Sequence, residues 1–166
     1  MREYLKATAI PPSGVGGYGI LAFTPKTTSA TRAKLLMVCR SFVAHFPSNA
    51  SIPPTPPLPD RMITVWPLDD PKAEKAAAED CDYAVDHYDL SAGESAIADA
   101  GRQRVNLKGE GPFLIGWSPS NTQGAPDTLV LVVDMSADAD QERIDRDFAF
   151  WEDKIVGDSP LWVRHP

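Results

Sequence analysis

The chain reads as a single α/β domain, a mixed, mostly parallel sheet of about four strands with helices packed over it. Three observations predict this. Short apolar runs alternate with segments whose apolar residues recur at three- and four-residue spacing, as strands joined by crossover helices do. At 166 residues, with 43% apolar and 23% charged side chains, the chain has the size and composition of one domain around one core. No internal repeat or linker divides it.

Taken in order, residues 1–17 carry Pro11 and Pro12 and end in glycines. They read as a flexible N-terminal arm, leaving 18–166 as the domain. Tyr18–Phe23, "YGILAF", is a short apolar run bounded by Gly17 and Pro25, the profile of a buried strand. Leu35, Cys39, Phe42 and Phe46 then fall at helical spacing, with Thr28 or Ser29 as N-cap and Pro47 as the stop. Residues 47–60, "PSNASIPPTPPLPD", hold too much proline for a helix or an interior strand and read as a stiff, polyproline-like loop. Its P-x-x-P spacings are of the kind aromatic grooves recognise, although any proline run contains them.

Arg61–Leu68 is the second strand. Asp69 or Asp70 caps the next helix, with Pro71 at its first position and Ala73, Ala77, Cys81, Ala84 and Tyr88 on one face. A shorter helix runs from about Glu94 to Ala100 and ends at Gly101. Pro112–Trp117 is the third strand and Thr128–Met135 the fourth. The fourth is apolar throughout, which predicts burial on both faces and a central place in the sheet. The helix-free connection from Ser118 to Asp127 makes strands three and four antiparallel. Ser136 caps a last helix whose core face is Ile144, Phe148, Trp151 and Ile155, ended by Gly157 and Pro160. The order along the chain is β-α-β-α-α-β-β-α.

Gly14, Gly16 and Gly19 spell G-x-G-x-x-G. Such glycines cradle a diphosphate only where they follow a strand and open a helix, because only there do backbone N–H groups and the helix dipole converge. Here they precede a strand, so no dinucleotide cofactor is implied. "VVDMS" resembles the end of a Walker B strand at Asp134, but no G-x-x-x-x-G-K-[ST] accompanies it. "GWSPS" lacks the final glycine of a nucleophile elbow, and Pro119 removes the N–H that would serve an oxyanion. Asp86 and Asp89 share a helix face while His87 is turned about 100° away, so no metal is implied there.

The net charge of −7 repels phosphate backbones and anionic lipids, which argues against nucleic acid and membrane partners. No apolar run approaches the roughly 20 residues of a membrane helix. "MREYLKATAI" holds no secretory apolar core, so a cytoplasmic location is expected, with export after leader removal left open. Cys39 and Cys81 each fall on an apolar helix stripe. Two buried thiols are the preferred reading, and one helix-to-helix disulfide in an exported protein the alternative.

In crossover units ligands bind beyond the carboxyl ends of the strands. Lys26, Thr28, Ser29 and Arg32 surround the start of the first helix, where hydroxyls, cations and the helix dipole favour an anion. Asp69 and Asp70 leave the second strand at the same edge, and a parallel third strand would bring Trp117, Ser118, Ser120 and Asn121 there too. Helix capping and turn chemistry account for many of these residues without a ligand. The expected function is a non-enzymatic ligand- or protein-binding domain. The alternative is an enzyme acting on a small anionic or phosphorylated substrate at this crevice. The partner is a protein or a small polar or anionic ligand, and four tryptophans with a long apolar helix face are compatible with a homodimer.

Overall fold

The computed structural model describes residues 2–6, 17–23, 29–46, 62–69, 80–103, 105, 107, 111–118 and 129–156, with the backbone alone for 2–6, 29, 30, 118, 129 and 154–156. Among the described residues five strands form one sheet: β1 (Arg2–Lys6), β2 (Gly17–Ala22), β3 (Met62–Leu68), β4 (Phe113–Ser118) and β5 (Leu129–Asp134), in the spatial order β1-β3-β2-β4-β5. The helices are α1 (Ser29–His45), α2 (Cys81–Asp86), α3 (Leu90–Arg102) and α4 (Gln141–Phe150), the last running into a π-helical turn at Trp151–Val156. The proline-rich loop 47–60 lies outside the described residues, as do Gly14, Gly16, Pro71, Ala73, Ala77, Gly157 and Pro160.

The α/β class holds and the sheet is mixed, but parallel pairing does not predominate. β3 pairs parallel with β1 and β2, whereas β4 pairs antiparallel with both β2 and β5. The reason lies after α3. That helix carries the chain from the carboxyl edge of the sheet, where Gly93 abuts Phe23, to the opposite edge, where Gln103 meets Trp117. A strand starting there would be parallel. Instead β4 begins next to Gly111 and Pro112 at the carboxyl edge, and Val105 and Leu107, which follow α3, pack on this second core.

Arg2–Lys6, expected within the flexible arm, is an edge strand aligned from Arg2↔Thr64 to Lys6↔Leu68. "REYLK" gives little apolar pattern, since charges at both ends are common on edge strands. β5 also lies at an edge rather than at the centre. Its unbroken apolar sequence reflects cover on both faces: Leu131 and Val133 pack on one core and Val130 and Val132 on the other.

The alternation of strand side chains builds two cores. Leu21, Met62, Trp66 and Leu114 face α1, α2 and α4, where Leu35, Cys39, Phe42, Phe46, Ile144 and Phe148 supply the expected helical stripes. Tyr18, Ile20, Ile63, Val65, Phe113, Ile115 and Trp117 face Ala96 and Ala100 of α3. α3 runs past the expected end at Gly101, which lies within it, to a cap at Gln103. The last helix is capped by Asp140, which accepts from the Arg143 N–H, and not by Ser136.

Gly19, the last glycine of the motif, sits inside β2 directly opposite Gly116 of β4. Together they form a flat seat for the Trp151 indole. A Cβ on Gly19 would stand 2.6 Å from the ring, and one on Gly116 3.0 Å from it. The buried indole N–H donates to Thr64 Oγ1 at 3.1 Å. Glycine is there because an aromatic ring lies on the backbone.

Cys39 and Cys81 form a disulfide, with Cα atoms 5.7 Å apart, and join α1 to α2. This corrects the preferred expectation of two buried thiols. Helix stripes showed that both residues face the core but not that the two helices meet. Among the described residues no helix is long and apolar enough to cross a membrane.

Candidate functional site

β2, β3 and β5 run in one direction, so their carboxyl ends meet at one edge, where antiparallel β4 begins. Four backbone segments converge there: Phe23 leaving β2, Asp69 leaving β3, Met135–Ser136 leaving β5, and Gly111–Pro112 entering β4. The Met135 N–H donates to Pro112 O at 2.9 Å and ties two of these together. Gly111 has φ of +84°, a conformation that only glycine adopts without strain.

The first turns of α1 close this edge into two depressions that share Leu35 as a wall. The first, a cavity of about 170 Å³, is lined by Phe23, Thr31, Lys34, Gly111, Pro112 and Ser136. Lys34 is its charged group. Its ammonium donates one hydrogen bond to Ser136 O at 2.8 Å, which uses one of three protons. Ser136 Oγ accepts from the Gly111 N–H at 2.9 Å, so its own proton is left to donate. Thr31 stands near the start of α1, where the positive end of the helix dipole favours an anion.

The second depression is acidic, lined by Asp69, Asp86, Val85, Tyr88 and Leu90. After α2 the chain runs back along the end of β3: the Asp69 N–H donates to His87 O at 2.8 Å, and the Asp89 N–H to Pro67 O at 3.1 Å. This places His87 Nδ1 3.0 Å from Asp69 Oδ1. Asp89 caps α3 by accepting from the Ser91 and Ala92 N–H groups. Asp86 is held by Arg32, so Asp86, His87 and Asp89 have three separate partners: α1, the end of β3 and the first turn of α3. Burial raises the Tyr88 phenol well above its ordinary pKa. It remains a donor to Leu21 O at 2.6 Å while accepting from the Phe23 N–H at 3.1 Å, which fixes the end of β2.

The expected site residues therefore divide. Arg32 and Asp69 reach the carboxyl edge, but Arg32 is committed to Asp86 and to Asp82 at 3.0 Å, a clip between α1 and α2. Ser29 opens α1 at the expected place. Trp117 and Ser118 lie at the opposite edge, because β4 runs antiparallel to β2. Trp117 is also buried there, stacked on Tyr18 and donating to Gln103 Oε1 at 2.6 Å. Lys26, Thr28, Asp70, Ser120 and Asn121 lie outside the described residues. Sequence reasoning missed Lys34 and Ser136. Ser136 reads from the sequence as a helix cap, whereas β5, antiparallel to β4, brings it to this edge.

A second polar cluster joins α1 to α4. Ser41 is fully buried and donates to Asp145, while Gln141 Nε2 donates to Met37 O and to Ser41 Oγ, each at 2.9 Å. His45 Nε2 stands 3.7 Å from Asp145 Oδ1. Ser, Asp and His are all present, but the carboxylate sits between hydroxyl and imidazole, so the ring is not placed to take the serine proton. This cluster fastens two helices.

No known protein family, curated protein or solved structure matches this chain. The site has to be read from its own chemistry.

Proposed function

We propose that this chain is a binding domain that takes a small anionic group, a carboxylate or phosphate, in the cavity between α1 and the start of the β5–α4 connection. The observation that carries this reading is the pairing of Lys34 with Ser136 across a cavity at the carboxyl edge. The ammonium has protons left over, the hydroxyl is oriented by the Gly111 N–H, and the start of α1 adds a positive dipole end. The apolar walls of Phe23, Leu35 and Pro112 suit the hydrocarbon part of a small ligand.

The Cys39–Cys81 bond supports an oxidising compartment over the expected cytoplasm, since disulfides persist mainly outside the reducing cytosol.

Calorimetric titration with sulfate, inorganic phosphate and short carboxylates tests the proposal. Lys34→Gln retains a donor for Ser136 O but removes the charge. It is expected to weaken the tightest anion by about tenfold or more, the worth of a charge-assisted hydrogen bond. Equal affinity of Lys34→Gln and the parent protein would contradict the proposal.

A further inference from the structure

The sheet ends in two unlike edge strands. β1 carries Arg2, Glu3 and Lys6, and such charges discourage a further strand from joining. β5, "LVLVVD", holds no proline and a single charge, Asp134, at its very end. Its register with β4 runs unbroken from Ser118↔Leu129 to Phe113↔Asp134, so no bulge turns the edge aside. Among the described residues β5 pairs only with β4. Val130, Leu131, Val132 and Val133 are each partly exposed, whereas every residue of β2, of β3 and of Phe113–Trp117 in β4 is buried.

One bond fixes which backbone groups face outward. The Met135 N–H donates to Pro112 O, which makes Pro112 and Met135 a hydrogen-bonded pair. By alternation Leu114 with Val133 and Gly116 with Leu131 are hydrogen-bonded pairs as well. Leu131 and Val133 therefore turn their N–H and C=O groups toward β4. Val130, Val132 and Asp134 turn theirs to the outer side, where no described strand lies.

We propose that the outer edge of β5 pairs antiparallel with β5 of a second copy of this chain, about a two-fold axis at Val132, so that one sheet runs through the dimer. The strand is complementary to itself in this register. Val132 meets Val132, Leu131 meets Val133, and Val130 meets Asp134, so all of the outward N–H and C=O groups find partners. The charge pattern allows it. The two Asp134 carboxylates stand four residues apart along the ribbon, about 14 Å, which exceeds the screening length of roughly 8–10 Å at ordinary salt. Trp66, Trp117 and Trp151 do not supply an interface, because all three are core residues. The pairing is independent of the anion-binding reading.

Sedimentation of the full chain from micromolar to millimolar concentration, with amide hydrogen exchange at the same concentrations, tests the proposal. The parent protein is expected to dimerise. Exchange of the Val130 and Val132 amides should slow as the dimer forms, while Leu131 and Val133 stay protected throughout. Two lysine substitutions on one face of the strand separate this register from a general loss of apolar surface. Val130→Lys sets an ammonium opposite Asp134 of the second copy and should tighten the dimer about fivefold, two cross-strand ion pairs being gained. Val132→Lys sets two ammonium groups against each other and should weaken it by about tenfold or more. A dimer that Val130→Lys weakens, or that Val132→Lys leaves unchanged, would overturn the proposal. So would a chain that stays monomeric at millimolar concentration with fast Val130 and Val132 exchange, which would leave this edge to an extended segment of another protein.

Discussion

Trp151→Ala is expected to destabilise the domain by about 3–5 kcal/mol, in the range for removing a large buried aromatic. That is a large share of the roughly 5–15 kcal/mol by which a domain is stable. The indole is fully buried, bonded to Thr64, and seated on the bare backbone of Gly19 and Gly116. Removing it leaves a void bounded by two residues with no side chains to move into it. Gly19→Ala should also destabilise, by about 1–3 kcal/mol, because a methyl 2.6 Å from a fully buried ring that is tied to Thr64 through its N–H forces a shift of ring or strand. The two changes should not add. With the ring gone the methyl meets only the flexible end of Met62, 3.3 Å away, so Gly19→Ala in the Trp151→Ala background should cost little or become stabilising. Denaturant melts of the four proteins give the coupling directly. Additive losses would show that the glycine does not exist to seat the indole.

Removing the Cys39–Cys81 bond is expected to cost about 4 kcal/mol on the chain-entropy account, given a sequence separation of 42 residues. The loop it closes includes all of β3 and the proline-rich segment, so the unfolded chain gains much freedom when it opens. Reinforcement of the α1–α2 contact by Arg32 with Asp82 and Asp86 adds little, because these pairs are exposed. Denaturant melts of Cys39→Ser/Cys81→Ser against the oxidised protein measure the cost. Thiol titration of the denatured, unreduced protein should find no free thiol. Two thiols per chain would contradict the bond.

Much of the architecture was legible because apolar periodicity survives folding. The stripes Leu35–Cys39–Phe42–Phe46 and Ile144–Phe148–Trp151 are core faces, and four strands lie within a residue or so of where their apolar runs put them. What was illegible depended on partners distant in sequence. β1 is recognisable only by its register with β3, and the disulfide only once α1 and α2 are side by side. The direction of β4 turned on the segment from Gln103 to Gly111, whose turn residues say nothing about which edge the chain returns to. That one direction decided the site: it sent Trp117 and Ser118 away from the crevice and brought Gly111 and Pro112 into it. The rule that ligands sit at strand carboxyl ends leads to the edge where the proposed cavity lies, while some of the residues expected there stand at the opposite edge. Lys34 and Ser136 carried no motif, since a lysine inside a helix and a serine after a strand are ordinary in any sequence.

Amide NMR mapping during a sulfate or phosphate titration most directly tests where this protein binds. Shifts should concentrate at Phe23, Thr31, Lys34, Gly111 and Ser136, the residues around the carboxyl-edge cavity, and leave Gln103 and Trp117 at the far edge unmoved. Saturable shifts centred on Gln103 and Trp117, with the cavity residues silent, would contradict the site.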